Sequence, residues 1–120
     1  MFKKCIFILA TSCMMYSCTT QTETNPFLTE FQTEHGVPPF DKIKLEHYEP
    51  AFLKGIEEQN ANIDAIVNNS EAPTFENVIV ALDNSSPILD RVSASFNNMT
   101  EAETTDDLKE LSIKLAPTLS

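Results

Sequence analysis

The chain has 120 residues, enough for one small domain, and it contains two glycines and no tryptophan. This composition is typical of a soluble helical protein. Its formal net charge of −10 at pH 7 argues against nucleic acid as a partner, because binding to phosphates depends on basic side chains that release counterions. We interpret the acidic balance as a solvated surface rather than as a site for a basic partner.

The first 17 residues have the pattern of a bacterial export signal. Lys3 and Lys4 form a basic start, and an apolar run of about eleven residues follows over positions 5–15. That run is too short for a permanent membrane helix, which needs roughly 20 residues. It ends at Ser17-Cys18, where a small residue directly before a cysteine resembles the lipobox of bacterial lipoproteins.

The lipobox resemblance implies that Cys18 is lipidated and becomes the first mature residue. Residues 1–17 would then be the signal peptide, and residues 18–36 a lipid-anchored tether with a short turn, facing the periplasm from a membrane of the bacterial cell envelope. The alternatives are an anchor at Cys13 or an ordinary secretory signal cut nearby. Because Cys5 and Cys13 would leave with the signal, no cysteine would remain for a disulfide, a zinc site or a catalytic nucleophile. The mature chain would have 6 basic and 18 acidic residues, a net charge of −12.

The segment after the tether combines aromatic residues with two adjacent prolines. Phe27, Leu28 and Phe31 fall on one helical face, so we expect them to pack on the body of the domain. Pro38 and Pro39 favour extended backbone just beyond it.

The first long helix is predicted to begin at residues 47–50, with Pro50 tolerated in its first turn, and to end at residues 68–70. Gly55 lies inside it as a flaw that costs up to ~1 kcal/mol relative to alanine. Its apolar stripe is formed by Tyr48, Phe52, Ile56, Gln59, Ile63 and Ile66.

The second helix is predicted to begin at Thr74, whose hydroxyl can accept a hydrogen bond from a first-turn amide. Glu76 suits the positive end of the helix dipole, and Asn77 takes the place of the Glu or Gln of a capping box. The apolar phase continues through Ser85-Ser86-Pro87. We therefore predict one long kinked helix rather than two short ones, although an internal proline removes a hydrogen bond. The stripe is formed by Val78, Leu82, Ser85, Leu89, Val92, Phe96 and Met99.

A third helix is predicted after Thr104-Thr105-Asp106-Asp107, an N-cap followed by acidic first-turn residues. The predicted fold class is therefore all-α, with residues 37–120 forming a helical region that we interpret as incomplete because the sequence stops at Ser120 without a C-cap signal. The apolar stripe of this third helix is Leu108, Leu111 and Leu115.

Five segments resemble the N-terminal region of the thimet oligopeptidase family of zinc metallopeptidases, and they occur along the chain in the same order as in that family. The family includes peptidyl-dipeptidases and oligopeptidase A. The most distinctive is Pro73-Thr74-Phe75-Glu76-Asn77 followed by Ala81-Leu82. The others are Pro38-Pro39-Phe40-Asp41-Lys42-Ile43, Tyr48-Glu49-Pro50-Ala51-Phe52, Leu89-Asp90-Arg91-Val92 and Leu115-Ala116-Pro117-Thr118-Leu119. The resemblance implies an all-α segment of a larger enzyme that hydrolyses short peptides, in which such helices form part of the wall of a deep channel.

The chemistry of such an enzyme is not in these residues. The family's zinc site needs H-E-x-x-H on a helix, whereas Gly36 follows His35 and Tyr48 follows His47. We interpret Glu46-His47-Tyr48-Glu49 as a polar helix entry and Glu57-Glu58 as a solvated face. The expected catalytic and metal residues in this chain are therefore none, and zinc would be held by a missing C-terminal catalytic region.

Two functions follow from these observations. The first is the N-terminal part of a membrane-anchored zinc oligopeptidase, inactive alone and acting on short peptides when complete. The alternative is a free-standing helical lipoprotein with a binding or scaffolding role. The sequence leaves dipeptidase and endopeptidase action open. Because its core would be thin, we expect the isolated chain to be only marginally folded.

Overall fold

The computed structural model describes residues 24–119, of which 71% are helical and none lies in a strand. The predicted all-α class is confirmed. No helix in this part of the chain is both long enough and apolar enough to cross a membrane. The helices are α1 (Leu45–Val67), α2 (a π-helical turn, Phe75–Val80, that continues as α-helix over Ala81–Asp83), α3 (Pro87–Ala102) and α4 (Asp106–Leu119). Two 3-10 turns, Pro26–Leu28 and Glu34–Gly36, precede them.

The core lies mainly between α1 and α3, the two helices with the most extensive contact. An aromatic cluster occupies its centre, where the ring centroids of Tyr48 and Phe96 are 5.2 Å apart and those of Phe52 and Phe96 are 5.5 Å apart, both edge-to-face. This geometry is one that aromatic pairs prefer. The buried core residues are Phe27, Tyr48, Ala51, Phe52, Val92, Phe96, Leu108 and Leu115.

The N-terminal turn is tied to this core. Phe27 is fully buried and its ring centroid is 5.1 Å from that of Tyr48, whereas Leu28 is exposed. Asn25 caps the turn by accepting a hydrogen bond from the Phe27 amide (3.1 Å) and donates from Nδ2 to the His47 carbonyl (2.8 Å). Arg91 donates from Nε to the Phe27 carbonyl at 3.1 Å. These bonds link the turn to both α1 and α3.

The first helix begins at Leu45, slightly earlier than predicted, and ends at Val67 as expected. His47 explains the earlier start, because its Nδ1 accepts a hydrogen bond from the Lys44 amide at 3.1 Å and so satisfies a donor at the helix entrance. Tyr48 and Phe52 are buried as the stripe predicts. The stripe residues toward the C-terminal end of α1 are half-buried, because less of the protein covers that end.

Gly55 is a requirement of the packing rather than a flaw. It is buried in α1, and a Cβ built on it would lie 2.8 Å from the Leu89 backbone nitrogen and 2.9 Å from the Leu89 Cα. Real Cβ atoms essentially never approach backbone atoms that closely. The backbones of α1 and α3 therefore cross at a point where no other residue fits.

The prediction of one long kinked helix is wrong. α2 ends at Asp83, and Pro87 is the first residue of a new helix. Proline is well tolerated at this position, because the amide of the first helical residue has no hydrogen-bond partner within the helix. Ser86 has φ −131° and ψ 41°, outside the helical region, as expected for a residue before proline. The shared apolar phase was misleading, since Leu82 is half exposed whereas Ser85 is buried.

The third predicted helix is confirmed as α4. The Thr105 hydroxyl accepts a hydrogen bond from the Leu108 amide at 3.3 Å, so the predicted N-terminal cap forms. Leu108 and Leu115 are buried and Leu111 is half-buried, as the stripe predicts.

Candidate functional site

Neither histidine belongs to a metal site in the described part of the chain. Within residues 24–119, no group of three His, Cys, Asp or Glu side chains could hold a metal ion. His35 is exposed and lies 3.4 Å from Glu34. His47 is buried, and its Nδ1 is occupied by the Lys44 amide. Glu49, beside it in sequence, pairs with Lys114 at 2.7 Å. The described residues do not fit the zinc site that the resemblance implies.

Glu57 and Glu58 differ from each other. Glu57 is exposed and pairs with Lys54 at 2.8 Å, as expected for a solvated face. Glu58 is half-buried and its Oε2 accepts a hydrogen bond from the Ile88 amide at 3.2 Å, in the first turn of α3. A carboxylate there satisfies a free amide and interacts favourably with the helix dipole. Glu58 therefore joins α1 to α3, which the sequence pattern did not indicate.

Tyr48 and Ser95 form the buried polar contact of the core, with 3.4 Å between the two hydroxyl oxygens. Burial raises the pKa of the Tyr48 phenol above its ordinary value, and the hydrogen bond with Ser95 offsets part of that rise. The phenol therefore stays neutral at physiological pH.

The distinctive Pro73–Asn77 motif forms a complete capping box. Asn77 donates its amide to the Thr74 hydroxyl at 3.1 Å, and its Oδ1 accepts from the Thr74 amide at 2.7 Å. Its Nδ2 also donates to the Ala72 carbonyl at 3.0 Å. Asn77 thus performs the role of the usual Glu or Gln and anchors the preceding loop as well.

Helix α2 faces α1 on one side and carries exposed apolar residues on another. Asn77 and Ala81 are half-buried and, with Asn84, line a shallow groove against Asn62 and Ala65 of α1. The other side carries an exposed apolar stripe with steps of four and three residues: Phe75 (65% exposed), Ile79 (50%) and Leu82 (51%).

This α2 stripe, defined as Phe75, Ile79 and Leu82, is the surface that the sequence reasoning missed. We predicted that Leu82 lies on a stripe facing the core, because the apolar phase was followed across Pro87. The signal that could have found it is local, since six of the nine residues of α2 are apolar and they surround the helix axis.

Comparison with known proteins shows which proteins the chain is similar to. No protein-family model matches the chain, but its homologues are bacterial peptidases. It is 43% identical over 88 residues to dipeptidyl carboxypeptidase of Salmonella typhimurium and 42% identical over 90 residues to dipeptidyl carboxypeptidase of Escherichia coli. Oligopeptidase A of Escherichia coli is 30% identical over 97 residues.

These matches cover 73%, 75% and 81% of this chain, but the chain spans only 13–14% of the length of each relative. The resemblance that the motifs indicate is confirmed: homologues of this chain are dipeptidyl carboxypeptidase and oligopeptidase A. The interpretation of this chain as a segment of such an oligopeptidase agrees with these homologues, and the alternative of a free-standing lipoprotein is not favoured. Cys18, Cys13 and the signal segment lie outside the described residues.

Proposed function

We propose that this chain is the N-terminal helical part of a zinc-dependent oligopeptidase that hydrolyses short peptides in the manner of a peptidyl-dipeptidase. The observation that carries the proposal is the 43% identity over 88 residues with dipeptidyl carboxypeptidase. The helices of this part position other regions of the enzyme and the substrate. The metal and the catalytic groups belong to polypeptide outside these 120 residues, and the chain alone is inactive.

We also propose that Cys18 is lipidated and holds the enzyme at a membrane of the bacterial cell envelope, facing the periplasm. The support is the basic start, the short apolar run and the Ser17-Cys18 pair. Net negative charge on the mature chain would keep the body of the protein away from an anionic lipid surface.

A chimeric enzyme tests the peptidase proposal. The 90-residue segment of Escherichia coli dipeptidyl carboxypeptidase that matches this chain is replaced by the corresponding residues of this chain, and dipeptide release from a short peptide is measured. We expect activity that a chelator removes and zinc restores. A chimera with native-like circular dichroism and a sharp melting transition, but without activity, would contradict the proposal.

A further inference from the structure

We infer that the α2 stripe is an internal docking surface that the remaining polypeptide of the peptidase covers with an apolar face bordered by lysine or arginine. This inference rests on the proposed function and names the partner of a surface that the function leaves unassigned. Six of the nine residues of α2 are apolar and they lie on more than one side of the helix, a pattern that favours burial between two layers of structure. Here α1 supplies one layer, and the second is to be identified.

The orientation of α2 leaves the stripe open to solvent. Its capping box fixes where the helix begins, and its contact with α1 leaves Phe75, Ile79 and Leu82 on the open side. Three large apolar side chains at least half exposed on adjacent turns form a contiguous patch, rather than the scattered single residues that are normal on protein surfaces.

The charged residues around the α2 stripe are acidic. Glu71, Glu76 and Asp83 are exposed at or beside α2, and none of them forms an ion pair with another residue in the range 24–119. A partner with basic residues at its margin would complement this rim. A second copy of the chain would bring acidic rims together, and like charges across an interface are unfavourable.

The relatives of this chain are much longer than the region that it matches. The matched region is 13% of each dipeptidyl carboxypeptidase, so most of each relative lies outside it and can supply the second layer. An intramolecular partner also has a high effective concentration, which favours docking even on a small patch.

Thiol labelling tests the inference. Ile79→Cys, or the control Asn60→Cys at an exposed polar position of α1, is introduced with the native cysteines replaced by serine. Each variant is prepared in the 120-residue chain and in the chimera with Escherichia coli dipeptidyl carboxypeptidase, and the labelling rate at each site is read by mass spectrometry. We expect labelling of Ile79→Cys to be about 100-fold slower in the chimera than in the isolated chain, and labelling of Asn60→Cys to change less than about threefold, because a covered site reacts only after local opening.

Equal labelling of Ile79→Cys in the two proteins would overturn the inference. Protection in the isolated chain that increases with its concentration would also overturn it, because the occupant would then be a second copy. The peptidase activity of the chimera without added cysteines is measured separately. An inactive chimera that still protects position 79 from labelling would contradict the proposed function but not the docking. An active chimera in which position 79 stays reactive would contradict the docking but not the proposed function.

A second measurement does not depend on the chimera. Ile79→Asp in the isolated chain removes an exposed apolar side chain without touching the core. We expect it to lower the fluorescence of a bound hydrophobic dye while the circular dichroism is retained, because Ile79 lies between Phe75 and Leu82 in the exposed stripe. Unchanged dye binding would show that the stripe is not an accessible apolar surface and would overturn the inference.

Discussion

The close approach of the α1 and α3 backbones at Gly55 provides a sharp test of the fold. Gly55→Ala adds one methyl group to α1 at the point where a Cβ would lie 2.8 Å from the backbone nitrogen of Leu89. Ordinary contacts begin near 3.4 Å, so the backbones of α1 and α3 would have to separate by about 0.6 Å. Neither a main-chain atom nor the new methyl group can move away by changing rotamer.

Two effects of opposite sign decide the magnitude. Alanine gains up to ~1 kcal/mol over glycine from helix propensity. Overpacking a well-packed contact costs ~1–3 kcal/mol, and separation of α1 from α3 also weakens the edge-to-face contacts of Phe96 with Tyr48 and Phe52. We therefore expect Gly55→Ala to lower the free energy of unfolding by about 2 kcal/mol. For a domain of this size, this change lowers Tm by roughly 8–16 °C.

Urea denaturation followed by circular dichroism measures this difference directly. Asn60→Ala is the matched control, because it changes an exposed position of the same helix and should be neutral or slightly stabilising. If Gly55→Ala is as stable as the wild type, or more stable, then α1 and α3 do not cross at Gly55 and the packing described above is incorrect.

Three further outcomes are expected. Burial raises the folded-state pKa of Tyr48 above its ordinary value of 10.0, so the free energy of unfolding should fall as pH rises above about 10 and through the folded-state pKa. Tyr48→Phe should remove that part of the fall. Asn77→Ala should destabilise the start of α2 by about 1 kcal/mol, seen as faster hydrogen exchange in the first turn, because it opens the capping box; equal exchange in the two proteins would argue against the box. Cys18→Ala should abolish acylation and membrane fractionation, whereas label that persists in Cys18→Ala and disappears in Cys13→Ala would move the anchor to Cys13.

Local signals predicted the helices well. The apolar periodicity of α1 and α4 located both, and the Thr74 and Thr105 caps form as their residue types predict. These features depend on neighbours three or four residues apart, which the sequence displays directly. The resemblance of the motifs to peptidases was equally accessible, because it needs only the order of short segments.

Features that depend on distant residues could not be predicted in this way. Gly55 was interpreted as a flaw because its helix propensity is visible in the sequence, whereas its contact with Leu89 is not. Glu58 was assigned to solvent because its partner amide, Ile88, belongs to another helix. The break before Pro87 was missed because a continuous apolar phase was given more weight than the restriction that proline places on the preceding residue.

We propose that this chain is one part of a larger zinc oligopeptidase, and the reading frame of its gene beyond the codon for Ser120 is the direct test. We predict a continuous frame of several hundred codons that encodes H-E-x-x-H, the motif that supplies two zinc ligands and a general base. A stop codon shortly after Ser120 in the genomic sequence would contradict the claim and would favour a free-standing helical lipoprotein.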